Sequence, residues 1–256
     1  VDNVVTAPEK ANGIVITGQA EANSSVLVSW GQTQHAVQVD GAGRWQARFG
    51  PAEIPVDGQY RVEAIAVDPA GNRSSATAAG VSVNTIGPVL SLTAIGSTGD
   101  SAINAEEAAS VPVSGSAEPG AVVRVSWNGT THTVLANAEG LWTVTFSGNE
   151  VPNPTAPSGA EYPVVIEAVS VVGNMSSRSV PVLVDRQAPT ASANVVEGDN
   201  RVTLAERRDG IPVSGQVEPG SSVAVTWNGV TRSALADASG LWAVEFMPED
   251  FANLPF

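Results

Sequence analysis

The sequence predicts an all-β chain of tandem antiparallel β-sandwiches. Three observations carry this prediction: the chain repeats itself, each copy alternates apolar and polar residues, and Gly, Pro and Asn mark turns between the alternating runs. The repeat is clearest in one heptapeptide, which reads GRWQARF from Gly43, GLWTVTF from Gly140 and GLWAVEF from Gly240. All six tryptophans recur with the same spacing. This spacing divides the chain into repeat 1 (residues 1–84), repeat 2 (residues 85–185) and repeat 3 (residues 186–256).

The first block that all three repeats share is a strand that ends in a tight turn. The strand reads IVITGQAE from Ile14, VPVSGSAE from Val111 and IPVSGQVE from Ile211, and it alternates as a half-buried strand does. Repeats 2 and 3 continue with Glu-Pro-Gly, in which Pro presets one dihedral angle and Gly accepts the positive φ of a type II turn. Repeat 1 has Glu21-Ala22-Asn23, and Asn is the next best residue for that left-handed position. We therefore expect the same bend in all three repeats.

The next strand has the pattern Val-x-Val-x-Trp and leads into a hairpin. In repeats 2 and 3 the strand ends in Asn-Gly, the strongest short signal for a two-residue type I′ turn. A return strand and a Gly-containing turn then precede the heptapeptide, in which Trp142, Val144 and Phe146 point to one face. That face stays bulky in the other repeats, while the opposite face changes charge. The Trp and Phe side chains are therefore predicted core residues, and truncating one is expected to cost about 3–5 kcal/mol.

The last part of the unit is present in repeats 1 and 2. Residues 60–72 align with residues 162–174, and a final strand and a Pro-containing linker follow in both. Repeat 3 stops before this part, and repeat 1 starts at a position that matches Asp100, without a counterpart of the strand Val89–Ile95. These observations predict a window on a longer array of repeats.

The number of strands in each repeat predicts the topology of the sandwich. Short strands, regular turn signals and no helical periodicity favour an immunoglobulin-like fold, here without a disulfide because the chain has no cysteine. The linkers at residues 83–88 and 184–189 are short. We therefore expect immunoglobulin-like domains arranged end to end as a rod.

Charge and hydrophobicity exclude several classes of partner. The formal net charge of −14, from 26 acidic and 12 basic residues, argues against nucleic acid, because binding to phosphate needs clustered Lys and Arg. No apolar run is long enough for a membrane span, so direct membrane insertion of this segment is not expected. An acidic surface instead favours divalent cations, since carboxylates are hard oxygen ligands suited to calcium.

The ordered motifs resemble a known family. The order V-D-x-x-A-P, D-x-x-I-N-A-x-E, V-x-V-S-G, E-P-G, W-N-G, G-x-W and D-x-A-G-N is similar to the bacterial Ig-like repeats of giant, type I-secreted biofilm-associated adhesins. The resemblance covers nearly the whole chain. It implies an extracellular rod on the bacterial cell surface that holds an adhesive tip away from the outer membrane. Its partners would be a host or abiotic surface, or other adhesin chains, and calcium would stiffen the rod between domains.

The resemblance also implies where calcium would bind. In such a sandwich the loops that contain Asp68 or Glu218 face the preceding domain, and the acidic turns that contain Asp100 and Glu107 face the next one. At the second junction the expected ligands are Asp185, Asp100, Glu107 and Glu218, and Asp68 is a weaker candidate. The first junction has Asn84 in place of the linker aspartate and Ser170 in place of the loop aspartate. We therefore expect the first junction to bind calcium weakly or not at all.

Simpler interpretations stand beside these. The tryptophans could stack on sugars, but their alternation with valine favours the core. His35 and His132 could be metal ligands or bases, but one histidine per repeat, replaced by Arg232 in repeat 3, favours the surface. Asp68 and the glutamate of the Glu-Pro-Gly turn could simply be turn residues.

Three classes of function remain after the motifs are considered. The chain has no G-x-S-x-G elbow, no H-E-x-x-H motif and no phosphate-binding glycine loop, so we do not predict an enzyme. The first class is a structural stalk of a surface adhesin. The second is a ligand-binding module for a glycan or protein, with its site on the connection between Gly148 and Ala160, which contains Pro152, Pro154 and Pro157. The third is an accessory Ig-like array within a secreted enzyme.

Overall fold

The computed structural model describes residues 2–78, 80–97, 102–156 and 158–251. The described chain consists mainly of β-strands in several sheets, which confirms the all-β, immunoglobulin-like sandwich prediction. By Cα proximity the residues fall into two compact units. Unit 1 contains residues 1–101, 110–151 and 163–181, and unit 2 contains residues 102–109, 152–162 and 182–256. The boundaries of the three repeats stay a prediction, and we use the repeats here as sequence labels.

Repeat 1 contains a short helix and nine described strands. They are β1 (Val4–Val5), α1 (Ala7–Asn12), β2 (Ile14–Gln19), β3 (Ser25–Trp30), β4 (Thr33–Gln38), β5 (Arg44–Phe49), β6 (Gly58–Tyr60), β7 (Val62–Val67), β8 (Arg73–Thr77) and β9 (Val81–Val83). Among these residues β2 pairs with β5, a four-stranded sheet has the order β4-β3-β7-β8, and a further sheet has the order β1-β9-β6.

Repeat 2 has one more strand at its start, and its last two strands are long and stand where repeat 1 has the four short strands β6 to β9. Its strands are β10 (Ser91–Ile95), β11 (Ala102–Ile103), β12 (Val111–Ser116), β13 (Val122–Trp127), β14 (Thr130–Leu135), β15 (Leu141–Phe146), β16 (Ala160–Val169) and β17 (Met175–Val184). Short 3-10 helices lie at Glu107–Ala109 and Gly148–Glu150. The described strands form the sheets β10-β12-β15 and β11-β17-β16-β13-β14.

Repeat 3 contains the first part of the same unit. Its elements are β18 (Ser192–Ala193), a 3-10 helix at Val196–Gly198, α2 (Leu204–Asp209), β19 (Ile211–Gln216), β20 (Ser222–Trp227), β21 (Val230–Leu235), β22 (Leu241–Phe246) and a 3-10 helix at Pro248–Phe251. Within the described residues its sheets are β18-β19-β22 and β20-β21.

The heptapeptide strands form the core as predicted. Trp142, Val144 and Phe146 of β15 are buried, and Leu141 between two buried positions is exposed. The strand β13 contributes Trp127, which meets Phe146 edge to face with 5.6 Å between ring centroids. Repeats 1 and 3 repeat this aromatic contact at 5.5 Å.

Two tryptophans are less deeply buried than the other four, although both pack against the core of their repeat. Trp45 and Trp227 are only partly buried, whereas the other four are buried. Among the described residues β20 pairs with β21 alone, while its counterpart β13 pairs with both β14 and β16. Part of the Trp227 ring is therefore open to solvent.

The predicted turns are confirmed by their backbone angles. Asn128 and Gly129 have φ values of 49° and 80°, as a type I′ hairpin requires. Gly120 has a φ of 78° in the Glu-Pro-Gly turn, and Asn23 takes the same left-handed region with a φ of 66°. The same bend therefore forms with different residues.

Sequence analysis missed the short helices, although their signal is present. Three of these helical turns begin with Thr or Asn and have Glu three residues later, which is the pattern of a capping box. The backbone N–H of the first residue donates to the glutamate carboxylate, from Thr6 to Glu9 at 2.9 Å, from Asn104 to Glu107 at 3.2 Å and from Thr203 to Glu206 at 2.7 Å. The Thr203 N–H lowers the pKa of Glu206.

The two histidines occupy corresponding positions in repeats 1 and 2, and Arg232 takes that position in repeat 3. The imidazole of His35 lies edge to face on Phe49, with 4.7 Å between centroids, and is partly buried rather than a surface residue. Each of the three side chains faces a carboxylate in the turn that follows the heptapeptide strand, in the pairs His35–Glu53 at 3.1 Å, His132–Glu150 at 3.1 Å and Arg232–Asp250 at 2.8 Å. In each repeat this contact ties the hairpin to the next turn.

Candidate functional site

The candidate site lies in a loop that occurs twice, at Asp68–Asn72 and Ser170–Asn174. Both loops close with the same backbone bonds. In the first, the Asp68 N–H donates to the Asn72 carbonyl at 3.0 Å, and in the second the Ser170 N–H donates to the Asn174 carbonyl at 2.8 Å. The loops differ in the side chain at their first position, and this difference determines where the asparagine points.

In repeat 1 the aspartate holds the asparagine within the loop. Oδ1 of Asp68 accepts from the backbone N–H of Asn72 at 2.7 Å, and Oδ2 accepts from the Asn72 side-chain amide at 2.7 Å. These bonds, first the one from the side chain, lower the pKa of Asp68. Both oxygens of this predicted weaker calcium ligand therefore already have a partner in the loop.

In repeat 2 the serine leaves the asparagine amide free to reach repeat 1. The Ser170 Oγ accepts the backbone N–H of Asn174 at 3.1 Å and has no second oxygen for the side chain. The Asn174 Oδ1 instead accepts the backbone N–H of Ala7 at 2.8 Å, and its Nδ2 donates to the carbonyl of Asn84 at 2.8 Å. We call these contacts of Asn174 with Ala7 and Asn84 the amide bridge; all three residues belong to unit 1.

The amide bridge is buried and uncharged. Asn174 has 0% of its surface exposed, and Ser170 is buried beside it. The Nδ2 atom of Asn174 also lies 3.4 Å from Oδ1 of Asn84. A buried polar group is costly unless its hydrogen bonds are made, and here the side-chain oxygen and nitrogen of Asn174 both have partners. Repeats 1 and 2 therefore meet through neutral hydrogen bonds at the junction where calcium was least expected.

The residues predicted to bind calcium at the second junction have other partners in the structure. Glu107 is buried, and its Oε2 accepts the Asn104 N–H in the capping box. Oδ1 of Asp185 accepts the backbone N–H of Gln187 at 3.0 Å. Glu218 is half-buried in the Glu-Pro-Gly turn, where its carbonyl accepts the Ser221 N–H. Asp100 lies outside the described residues.

The described carboxylates do not assemble a metal site by themselves. Among residues 2–78, 80–97, 102–156 and 158–251, no three His, Cys, Asp or Glu side chains come close enough to hold a metal ion. Asp185, Glu107 and Glu218 are therefore not brought together as a set of ligands. The calcium prediction depends on Asp100 and stays a prediction.

In the described part of the chain, no helix has the length and apolar character to cross a membrane. Within the described residues β1 runs parallel to β9, and the Ser82 and Asn84 N–H groups donate to the carbonyls of Asn3 and Val5. Repeat 2 has the same parallel pair, in which β11 lies beside the end of β17.

Comparison with known families identifies the first repeat. Residues 2–85 match the bacterial Ig-like domain family. This match confirms the predicted resemblance to bacterial Ig-like repeats over these residues. No protein with a curated description matches the chain.

Solved structures with a similar fold include several adhesin segments. One is a Ca²⁺-stabilized adhesin that helps an Antarctic bacterium reach out and bind ice, with 26% identity, 98% of this chain and 64% of that chain covered, and a TM-score of 0.47. A second is a 1.5-MDa bacterial ice-binding adhesin, with 23% identity, 98% and 85% covered, and a TM-score of 0.44. An Ig-like domain of the M. primoryensis ice-binding adhesin has 29% identity, 39% and 98% covered, and a TM-score of 0.28. The chain thus spans 64% of the length of the first of these adhesin chains.

Proposed function

We propose that this chain is a stalk segment of a bacterial cell-surface adhesin, with a mechanical rather than a catalytic role. The ordered motifs and the family match over residues 2–85 support a bacterial Ig-like array. In this proposal the protein is extracellular and takes part in adhesion or biofilm formation. The parent protein would contact a host or abiotic surface, or other adhesin chains, through parts other than the stalk.

The observation that carries the proposal is the parallel pairing of β1 with β9, the last strand of repeat 1. A load that reaches β1 from the N-terminal side and leaves through β9 acts on both strands of this pair. Because β1 and β9 run parallel, pulling their outer ends apart slides one strand along the other and loads the hydrogen bonds between them together. Antiparallel strands pulled from one end would instead open one bond at a time. In repeat 2 the last strand, β17, also has a parallel partner, which is β11, the second strand of that repeat.

Force spectroscopy on single molecules tests this role. Ser82→Pro removes the N–H that donates to the Asn3 carbonyl, so we expect this variant to unfold repeat 1 at a lower force than the wild-type chain. Ser82→Ala keeps the N–H and should unfold at the wild-type force. A wild-type chain that extends without resolvable unfolding peaks would contradict a mechanical role.

A ligand-binding module is the alternative, and it predicts a different result. Its site would be the connection from Gly148 to Ala160, of which Pro157 lies outside the described residues. The isolated chain applied to a glycan array separates the two functions. A stalk gives no specific signal, whereas a specific glycan signal that is lost when this connection is shortened would favour the module.

We further propose that calcium binds at the second junction, with Asp100 and Asp185 among its ligands. Calcium that binds the folded chain raises its melting temperature by mass action. We therefore expect excess EGTA to lower the melting temperature of the wild-type chain, and Asp100→Asn or Asp185→Asn to abolish the effect, while Asp68→Asn leaves it intact. An unchanged melting temperature in EGTA would remove calcium from the proposal.

A further inference from the structure

We propose that the outer face of one sheet of repeat 2 binds a second copy of the chain. This face belongs to β14, β13, β16 and β17, which lie side by side in the sheet β11-β17-β16-β13-β14. The two copies would pack face to face about a two-fold axis that is parallel to the strands. This segment makes the contact itself, so the inference does not depend on the stalk function.

The first observation is a row of apolar side chains that crosses this face. Leu135 of β14 lies opposite Val122 of β13, and Val122 lies opposite Val169 of β16. The loop after β16 is closed by the same backbone bond as its counterpart in repeat 1, where the two flanking residues pair with each other. Met175 of β17 therefore lies beside Val169. We call Leu135, Val122, Val169 and Met175 the apolar row.

The apolar row lies on the solvent side of the sheet. Leu135 and Met175 at its ends are 64% and 55% exposed, and Val122 and Val169 between them are half-buried. Alternate residues such as Val123 point to the opposite face and are buried in the core. Four strands at the usual spacing give the row a width of about 14 Å. A continuous apolar surface that is rimmed by polar residues is typical of an interaction site.

The second observation is a pair of opposite charges beside the apolar row. Arg124 of β13 and Glu167 of β16 lie opposite each other, two residues along their strands from Val122 and Val169. Arg124 is exposed and Glu167 is half-buried. Neither side chain forms an ion pair with another described residue. Both charges are therefore available to a partner that lies on this face.

Repeat 1 has neither feature, although its strands pair in the same register. The counterparts of three residues of the apolar row are polar or charged, and the counterparts of the charged pair are apolar. In the order Leu135, Val122, Met175, Arg124 and Glu167, these counterparts are Gln38, Ser25, Arg73, Leu27 and Ile65. The fold itself therefore requires neither the apolar row nor the charged pair, which favours a role in binding.

The charged pair identifies the partner as a second copy. A two-fold axis between β13 and β16, parallel to both, places β13 of one copy over β16 of the other and does not shift either copy along the strands. Arg124 then faces Glu167 of the second copy, and Glu167 faces Arg124 of the second copy. The same rotation places the apolar row of one copy on that of the other. The face is therefore complementary to itself in charge and in apolar character.

Sedimentation equilibrium of the full chain over a range of concentrations tests the proposal. We expect monomers and dimers with a dissociation constant on the order of 100 μM, since the formal net charge of −14 opposes the association of two copies. Leu135→Asp should raise this constant at least roughly tenfold, because the apolar contact is lost twice in each dimer. Leu141→Asp is the matched control, since Leu141 is 55% exposed on β15 of the other sheet, and it should leave the constant unchanged.

Reversal of the charges tests the two-fold contact directly. Arg124→Glu places two carboxylates at the axis in each copy, and Glu167→Arg places two guanidinium groups there. Each variant alone should dimerise at least roughly tenfold more weakly, because like charges then face each other. An equimolar mixture of the two variants should associate as tightly as the wild-type chain, because every charge again faces its opposite. Where circular dichroism shows that one of these variants does not fold, the comparison of Leu135→Asp with Leu141→Asp decides.

Three outcomes would overturn the proposal. One is a wild-type chain that stays monomeric up to roughly 1 mM. Another is equal dimerisation of Leu135→Asp and Leu141→Asp, which would assign the contact to a different surface. The third is a mixture of Arg124→Glu and Glu167→Arg that associates no more tightly than either variant alone, which would exclude the two-fold contact through this face.

Discussion

Trp127→Ala is expected to lower the free energy of unfolding by about 3–5 kcal/mol, because it leaves a cavity that the sandwich cannot fill. Only 1% of the Trp127 surface is exposed. Its ring packs edge to face on Phe146, and the neighbouring inward residues Val123 and Val125 of the same strand are fully buried. Strands on both sides of β13 hold its backbone in place, so collapse around the missing indole is limited.

Chemical denaturation followed by far-UV circular dichroism measures this effect. Leu141→Ala is the control, since Leu141 is 55% exposed and its loss should cost no more than about 0.5 kcal/mol. Trp127→Phe should fall between the two, because it keeps an aromatic ring and removes an indole N–H that has no partner among the described residues. Equal stability of Trp127→Ala and Leu141→Ala would show that this tryptophan is not a core residue.

The parts of the fold that sequence predicts are those that local rules determine. The alternation around Trp142 identifies a buried face because side chains in a strand point to opposite faces in turn. Asn128-Gly129 identifies a hairpin because few other pairs accept positive φ at both positions. The short helices have an equally local signal in their capping boxes, so Thr203 and Glu206 could have been interpreted correctly from the sequence.

The candidate site depends on contacts that no local rule predicts. The side chain of Asn174 bonds to residues 90 and 167 positions away along the chain. The sequence does show that Ser170 replaces the aspartate of repeat 1, and it indicates a difference between the junctions. It does not show that this replacement releases an amide, because that result follows from the number of oxygen atoms facing Asn174 in the folded loop. The acidic side chains show the converse case. Glu107 has the residue type of a calcium ligand in the sequence, but in the fold its carboxylate caps a helical turn.

Asn174→Asp is expected to be the second most damaging substitution, at about 3 kcal/mol or more. The new carboxylate can still accept the Ala7 N–H, but it has no donor for the Asn84 carbonyl, which lies 2.8 Å from the replaced nitrogen. A negative charge would then lie against a carbonyl oxygen at a position with 0% exposure. Asn174→Ala removes the amide without adding a charge, and we expect a smaller loss of about 1–3 kcal/mol.

The pH dependence of Asn174→Asp distinguishes a broken amide bridge from a general loss of packing. Burial next to the Asn84 carbonyl should raise the pKa of the introduced aspartate above its value in the unfolded chain, so the folded state binds the proton more tightly. Stability relative to the wild-type chain should therefore increase as the pH falls through the raised pKa, since a protonated aspartate can donate to the Asn84 carbonyl. Asn72→Ala in the exposed loop of repeat 1 is the control and should cost less than about 1 kcal/mol, because it loses only one solvent-accessible bond, from the side-chain amide to Asp68. If the relative stability of Asn174→Asp does not change with pH, or if Asn174→Ala behaves like Asn72→Ala, Asn174 does not join the two repeats in the way that its contacts indicate.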